Sequence, residues 1–367
     1  MQETIINVDY YDLVYSSSSL YDESRIEELF EKCAANGVTT VLWRLSVCGV
    51  AAWHSKVRSW YEAKYVGNMP FSYNMVKILR KFDPLEVACR LGRKYGVKVF
   101  AWVTVMDEDA NPGLISDFVL ENTECTWRSR DQKRYLRGAL CYAYPKVVDF
   151  RLKELEEVLS YDLDGVYLCT RSHAKFGSEC RDLDDFGYNE PVVKEYAKRH
   201  GANILTEDFD KLKLYDLQGE YFTEFLRKAS VKIKEKGVPL WLGIHSDGYS
   251  MMNISPMGHM KLDYEKWVEE DLVEGLIVAA GEPVLDRSEV WFREVRDKYA
   301  GVREAGKLLL CWFRVWDWRN ELPYFSGETK NPKLIEAVSK RYAGYFDGYA
   351  YHEAENFERY DDLWNRI

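Results

Sequence analysis

The chain has 367 residues, 47% of them hydrophobic, which suffices for a large core in two domains or in one large α/β barrel. Its formal net charge is −10 with acidic and basic residues interspersed, so the sequence lacks the basic face of a nucleic-acid-binding protein. It shows neither an apolar run long enough to cross a bilayer nor a signal-peptide pattern. We therefore expect a cytoplasmic protein without nucleic-acid or membrane partners, although a shortened exported protein would look the same. Self-association stays open.

The cysteines predict neither a disulfide framework nor a zinc site. None of them belongs to a Cys-x-x-Cys pair, and several fall within apolar segments that are typical of strands or helices. We expect buried free thiols and no bound metal or other cofactor. The eight cysteines are at positions 33, 48, 89, 125, 141, 169, 180 and 311.

Short apolar segments alternate with helical ones along the whole chain. The first predicted strand covers residues 4–8, and seven more begin at or just after a glycine. We expect such glycines to close the preceding helix, because glycine adopts the left-handed conformation found at helix ends. The seven are Gly37, Gly96, Gly165, Gly237, Gly275, Gly306 and Gly348.

Apolar residues recur at helical spacing between these strands. Positions 26, 29, 30 and 33 form one such stripe, and residues 222–233 contain another. Asp83–Pro84 and Asn331–Pro332 each predict a helix that begins with a capping residue followed by proline. A further helix is expected over residues 190–200, inside the long segment after the fourth strand.

Eight strands alternating with helices predict an α/β fold, namely a (β/α)₈ TIM barrel that forms a single domain over residues 1–367. An open doubly wound sheet is the alternative, but no glycine-rich phosphate loop follows any strand. The long connections all lead from a strand to the next helix. In a barrel those connections lie on one face, which is where barrels carry their function.

Polar side chains follow the predicted strands at this face. Asp247, Glu282 and Glu353 each come soon after an apolar strand, and a pair of carboxyl groups is what glycosidic bond cleavage requires. Each of these residues has an alternative role as a helix cap or as the partner of a rim arginine. Asp107 is a further candidate, but the run 107–109 is also typical of a solvated acidic loop.

Histidines, arginines and tryptophans at the same strand ends suit substrate binding. Metal-dependent barrel hydrolases usually carry His-x-His after the first strand, whereas this chain has Asp9 followed by two tyrosines, so a metal site is the weaker interpretation. The arginines suit an anionic substrate group, or they hold the carboxylates in their charged form. The predicted substrate-binding residues are Arg44, Asp107, Arg171, His173, His245, Trp312, Arg314, Trp316 and His352.

Four segments give the sequence a family resemblance. Residues 161–166, 186–191, 195–201 and 216–227 read YDLDGV, FGYNEP, EYAKRHG and DLQGEYFTEFLR. They resemble the family-ten-like glycosyl hydrolase barrels, which implies a (β/α)₈ fold and action on glycosidic bonds. Such barrels often carry an aspartate after the Asp-Gly of strand 4, where this chain has Cys169 and Thr170. No catalytic assignment therefore follows from the resemblance.

The residues themselves favour a glycoside hydrolase that cleaves O-glycosidic bonds in an oligo- or polysaccharide. We expect Glu282 to be the general acid and Asp247 the nucleophile or base, with Glu353 as an exchangeable third carboxylate. Two alternatives stay open, namely a metal-dependent hydrolase and a carbohydrate-binding barrel without turnover.

Overall fold

The computed structural model describes residues 2–9, 22–60, 70–109, 114–170, 186–245, 260–279, 289–314 and 340–352, together with residues 354, 357 and 364. Eight parallel strands form a closed barrel in which each strand pairs with its neighbours in chain order, and the last pairs with the first. The predicted (β/α)₈ barrel is therefore confirmed. The strands are β1 (Glu3–Val8), β2 (Thr40–Arg44), β3 (Lys98–Thr104), β4 (Gly165–Cys169), β5 (Leu240–His245), β6 (Gly275–Ala279), β7 (Leu308–Arg314) and β8 (Gly348–His352).

Helices occupy the connections on the outside of this barrel. They are α1 (Glu23–Ala35), α2 (Pro70–Leu79), α3 (Pro84–Tyr95), α4 (Asp117–Glu121), α5 (Pro145–Val158), α6 (Glu190–His200), α7 (Lys211–Lys236), α8 (Tyr264–Glu269), α9 (Glu289–Lys298) and α10 (Ala300–Glu304). Two short hairpins project from the loops after β2 and β3. The first pairs Ser46–Val47 with Val50–Ala51, and the second pairs Thr126–Arg128 with Tyr135–Leu140.

The helices begin and pack as their sequences predict. In α1 the stripe formed by positions 26, 29, 30 and 33 is buried against the barrel. Asp83 caps α3 by accepting a hydrogen bond from the Leu85 amide at 2.9 Å, with Pro84 in the first turn. The helix expected over residues 190–200 is α6. The cap expected at Asn331–Pro332 lies outside the described residues.

The glycines that lead the strands serve two different purposes. Gly37, Gly96, Gly237 and Gly306 have φ between +71° and +77°, as expected for residues that close a helix or turn. Gly165, Gly275 and Gly348 do not have positive φ, so the prediction that they close a helix in the left-handed conformation is wrong. A Cβ on Gly165 would lie 2.4 Å from the Phe100 ring, and Gly275 and Gly348 are similarly crowded by neighbouring strands. These three are needed for close packing inside or between strands.

Aromatic side chains fill the barrel interior. Successive inward residues alternate along each strand, so β3 contributes Phe100 and Trp102, and β5 contributes Trp241. The Phe100 and Trp241 ring centroids are 4.1 Å apart, and Tyr167 of β4 lies 6.0 Å from Trp102. The interior is thus a packed core, which leaves the polar residues near the C-terminal strand ends as the candidate site.

The cysteines agree with the sequence analysis where the structure describes them. Seven are buried free thiols, and Cys180 lies outside the described ranges. Within those same ranges, no helix combines the length and the apolar character that crossing a membrane requires.

Candidate active site

The structure describes five of the predicted site residues with their side chains. These are Arg44, Asp107, His245, Trp312 and His352. Arg314 ends β7, and only its backbone is described. The remaining predictions lie outside the described residues, which includes all three proposed catalytic carboxylates. They are Arg171, His173, Asp247, Glu282, Trp316 and Glu353.

His352 lies between two tryptophans at the C-terminal end of the barrel strands, which we call the open end of the barrel. It ends β8, pairs in register with Asn7 of β1, and is fully buried. Its Nδ1 lies 3.5 Å from the side-chain nitrogen Nδ2 of Asn7. The ring centroids of Trp312 and Trp102 lie 4.7 Å and 6.1 Å from the centroid of the imidazole. The Asn7 side chain places a polar residue in this layer that the sequence analysis did not identify. Asn7 lies two residues before Asp9, so the two side chains face the same side of the chain in an extended strand, and this spacing could have identified it.

Arg44 binds two aspartates at the same end of the barrel. Its Nη1 donates to Asp9 Oδ2 at 2.6 Å, and its Nη2 donates to Asp107 Oδ2 at 3.0 Å. The guanidinium also lies over the Trp102 ring, 5.2 Å from its centroid. Asp9, Arg44 and Asp107 are all buried, and we call them the mouth trio. The structure therefore joins Arg44, which ends β2, to Asp107, which follows β3, and both are predicted site residues.

The run 107–109 is not a solvated acidic loop, so that alternative is wrong. Asp107 and Glu108 are fully buried and Asp109 is 8% exposed. The pKa of the Asp109 carboxyl is raised, mainly by burial. Arg137, at 3.2 Å, lowers this pKa, and the nearby Asp107 carboxylate raises it further. These carboxylates can be buried because arginines from distant parts of the chain neutralise them.

Glu108 belongs to a second ionic group, which lies between the loop after β2, the loop after β3 and α5. Its carboxylate accepts from Arg58 Nη1 and Nη2 at 3.0 and 2.7 Å, and Arg151 Nη2 lies 2.5 Å from it. Glu154 accepts from the same two arginines, including Arg151 Nη1 at 2.9 Å. All four side chains are at most 1% exposed, and we call them the buried quartet. Two carboxylates thus face two guanidinium groups.

The ion pairs of the quartet shift the pKa values of Glu154, Arg58 and Arg151 toward their charged forms. Burial raises the pKa of the Glu154 carboxyl, but Arg58 and then Arg151 outweigh burial, so that its pKa lies below the ordinary value of 4.5. Burial lowers the pKa of the Arg58 guanidinium, and Glu108 and Glu154 more than reverse that effect. Glu154 is therefore held in its charged form by the two arginines of the quartet.

The described residues contain no group of three or more His, Cys, Asp or Glu side chains arranged to hold a metal ion. The two carboxylates of the mouth trio contact a guanidinium. Acid and base residues for bond cleavage at this end of the barrel would come from the loops that follow the strands.

No family model matches the chain, and no curated protein matches it significantly. Solved structures do resemble it over its full length. The glycoside hydrolase domain of PgaB (BpsB) from Bordetella bronchiseptica has a TM-score of 0.66 at 12% identity, covering 100% of this chain and 98% of that chain. The catalytic domain of the β-amylase from Paenibacillus polymyxa has a TM-score of 0.58 at 12% identity, with coverages of 100% and 95%.

The endo-1,4-β-mannanase from Rhizomucor miehei is also similar, with a TM-score of 0.51 at 12% identity and coverages of 96% and 86%. At such low identity these three structures show that the fold is shared, and they agree with the barrel described above. None of the three is described as family-ten-like, and that part of the resemblance stays a prediction.

Proposed function

We propose that the protein is a glycoside hydrolase that cleaves O-glycosidic bonds in an oligo- or polysaccharide. The mouth trio is the observation that supports this proposal most. In it, Arg44 forms ion pairs with Asp9 and Asp107 at the C-terminal end of the barrel strands. Carboxylates, arginine and aromatic rings at one strand-end face are the groups that bind and cleave a sugar chain. Three structures with this fold are named as glycoside-cleaving enzymes or domains, which adds support.

The proton chemistry is assigned to the loops after β5, β6 and β8. Glycoside hydrolysis needs one carboxylic acid to protonate the leaving oxygen and one carboxylate to act as nucleophile or as base for water. We assign Glu282 as the acid and Asp247 as the nucleophile or base, with Glu353 as the third candidate. The sequence places them within three residues of the last residues of β6, β5 and β8, which are Ala279, His245 and His352.

Residues around these loops are assigned to substrate binding. The imidazole of His245 is partly exposed and can exchange hydrogen bonds with sugar hydroxyl groups. Trp312 and His352 are buried and would lie beneath the sugar. The mouth trio would fix the charge and shape of the floor on which the sugar rests. The remaining assigned contacts are Arg171, His173, Arg314 and Trp316.

The test is a screen of purified protein against aryl glycosides and polysaccharides, followed by amide variants on a confirmed substrate. Glu282→Gln and Asp247→Asn should each lower kcat by about 10²- to 10⁴-fold, the usual contribution of acid–base groups. Their melting temperatures should match that of the parent protein. Glu23→Gln, at an exposed position on α1, is the control and should retain full activity. Full activity in both amide variants would show that these residues are not the catalytic pair.

The same screen separates the other possible functions. Binding of a glycan in calorimetry without any released product would identify a carbohydrate-binding barrel. Activity that disappears on chelation and returns on adding a divalent metal would identify a metal-dependent hydrolase. Neither result would be compatible with the two-carboxylate mechanism.

A further inference from the structure

Asp107 and Glu108 are neighbours in sequence but contact different groups. The Asp107 carboxylate binds Arg44 in the mouth trio, whereas the Glu108 carboxylate binds Arg58 and Arg151 in the buried quartet. The loop after β3 therefore has one carboxylate at the barrel opening and the next one in an ionic network behind it. Any displacement of Glu108 is transmitted to Asp107 through a single peptide unit.

The backbone around these two residues is fixed on both sides. Before Asp107, the Val105 carbonyl accepts from Tyr142 Oη at 2.8 Å and from Arg151 Nη2 at 2.9 Å. After it, the Glu108 amide donates to the Gly138 carbonyl at 2.9 Å, and the Glu108 carbonyl accepts from the Ser116 amide at 3.0 Å. Arg151 thus binds both the strand end and the Glu108 carboxylate.

We propose that Glu108 is a positioning residue for the proposed hydrolysis: its anchorage by Arg58 and Arg151 sets where the Asp107 carboxylate meets Arg44 at the barrel opening. This inference rests on the proposed function and names a residue outside the assigned catalytic and binding groups. Small displacements of groups that orient a substrate are costly, since about 1 Å of misplacement can lower a rate about 10²-fold.

Glu154 provides a matched control within the same quartet. It is as buried as Glu108, it accepts from the same two arginines, and each carboxylate receives contacts from three guanidinium nitrogens. It differs in one respect, because it lies on α5 and not in the loop that carries Asp107. A purely structural role for the quartet predicts equal effects on activity when either carboxylate is altered.

The experiment compares Glu108→Gln with Glu154→Gln. An amide has one acceptor oxygen, so its NH₂ group must face a guanidinium donor in either variant, and both proteins should lose a similar amount in melting temperature. We expect Glu108→Gln to lower kcat about tenfold or more, with Glu154→Gln within about twofold of the parent. Equal kcat losses in the two variants, or no loss in either, would overturn the inference.

A second measurement does not depend on catalysis. The buried Cys48 lies in the hairpin after β2, and its pKa is raised by burial and by the nearby Asp107 carboxylate. The adjacent Gly49 packs so closely on the Glu108 carbonyl that a Cβ there would lie 2.5 Å from that oxygen. If Glu108 loses its anchorage, this hairpin should loosen and expose the Cys48 thiol.

Maleimide labelling of the folded proteins should therefore be faster in Glu108→Gln than in Glu154→Gln. Adding Cys48→Ala to the Glu108 variant should remove the extra labelling. Should the parent protein cleave no glycan, the proposed function would fail while labelling would still test the positioning role. Equal labelling of the two glutamine variants would overturn that role whatever the activity.

Discussion

The mouth trio and the buried quartet are two ionic groups built from adjacent residues of one loop, and they differ in where their partners lie. The trio joins residues that end or follow β1, β2 and β3, so it sits at the open end of the barrel. The quartet joins the loops after β2 and β3 to α5. Asp107 and Glu108 have the same side-chain type and the same burial, so neither property distinguishes their roles.

The position of the arginine partners therefore distinguishes a structural carboxylate from a candidate site carboxylate. In the quartet, each carboxylate contacts both arginines, and together the two groups form a closed set of ion pairs. In the trio, one arginine holds two carboxylates beside the aromatic floor of the barrel. Loss of either quartet carboxylate should thus lower stability, with an added loss of activity only at Glu108, whereas loss of a trio member should lower activity more than stability.

The largest expected effect is on stability. Glu154→Gln leaves a buried guanidinium group incompletely paired, which typically costs about 3–5 kcal/mol of unfolding free energy. Urea denaturation at neutral pH would measure this cost. The exposed pair of Glu23 and Arg90 is the control, since Glu23→Gln should cost less than about 1 kcal/mol. Equal costs at the two positions would show that the quartet does not stabilise the fold.

A smaller effect is expected at the opening of the barrel. Asp107→Asn keeps the shape of the side chain but removes the charge that holds Arg44, so kcat/KM on a confirmed substrate should fall about 10- to 100-fold. This corresponds to about 1.4–2.7 kcal/mol of transition-state free energy. The cost in unfolding free energy should not exceed that of Glu154→Gln. If Asp107→Asn were destabilised but fully active, the trio would be a structural group like the quartet.

The smallest effect concerns pH. The pKa of Glu154 is lowered in the folded protein, so its stabilising contribution is fully present above its unfolded value near 4.5 and is lost as the pH falls through the folded value. Glutamine does not titrate. The difference in unfolding free energy between the parent protein and Glu154→Gln should therefore narrow below pH 4.5. A difference that stayed constant down to acid denaturation would contradict the lowered pKa of Glu154.

The barrel could be predicted from the sequence because its signal is local. Each strand is a short apolar segment next to a glycine or a capped helix, and such patterns depend on residues close together in the chain. The purpose of the glycines was only partly predictable. Gly165 is required by the Phe100 ring of the neighbouring strand, and a contact between strands leaves no trace in local spacing.

The candidate site was predictable only in part, for the same reason. Arg44 and Asp107 were identified from their positions at strand ends, yet the ion pair between them joins residues 63 positions apart. The burial of the run 107–109 was missed because the partners of Glu108 lie on other elements; Arg58, for example, is 50 positions away. Three adjacent acidic residues resemble a solvated loop until these partners are known.

The aromatic packing inside the barrel also determines how a long substrate could reach the site. Phe100, Trp102 and Trp241 are at most 2% exposed and occupy the barrel axis. A polymer cannot thread through an axis closed in this way. A polysaccharide bound by this protein would lie across the open end of the barrel, with both of its ends leaving the site over the rim. Sites for successive sugar units should then be arranged along the rim and not in depth.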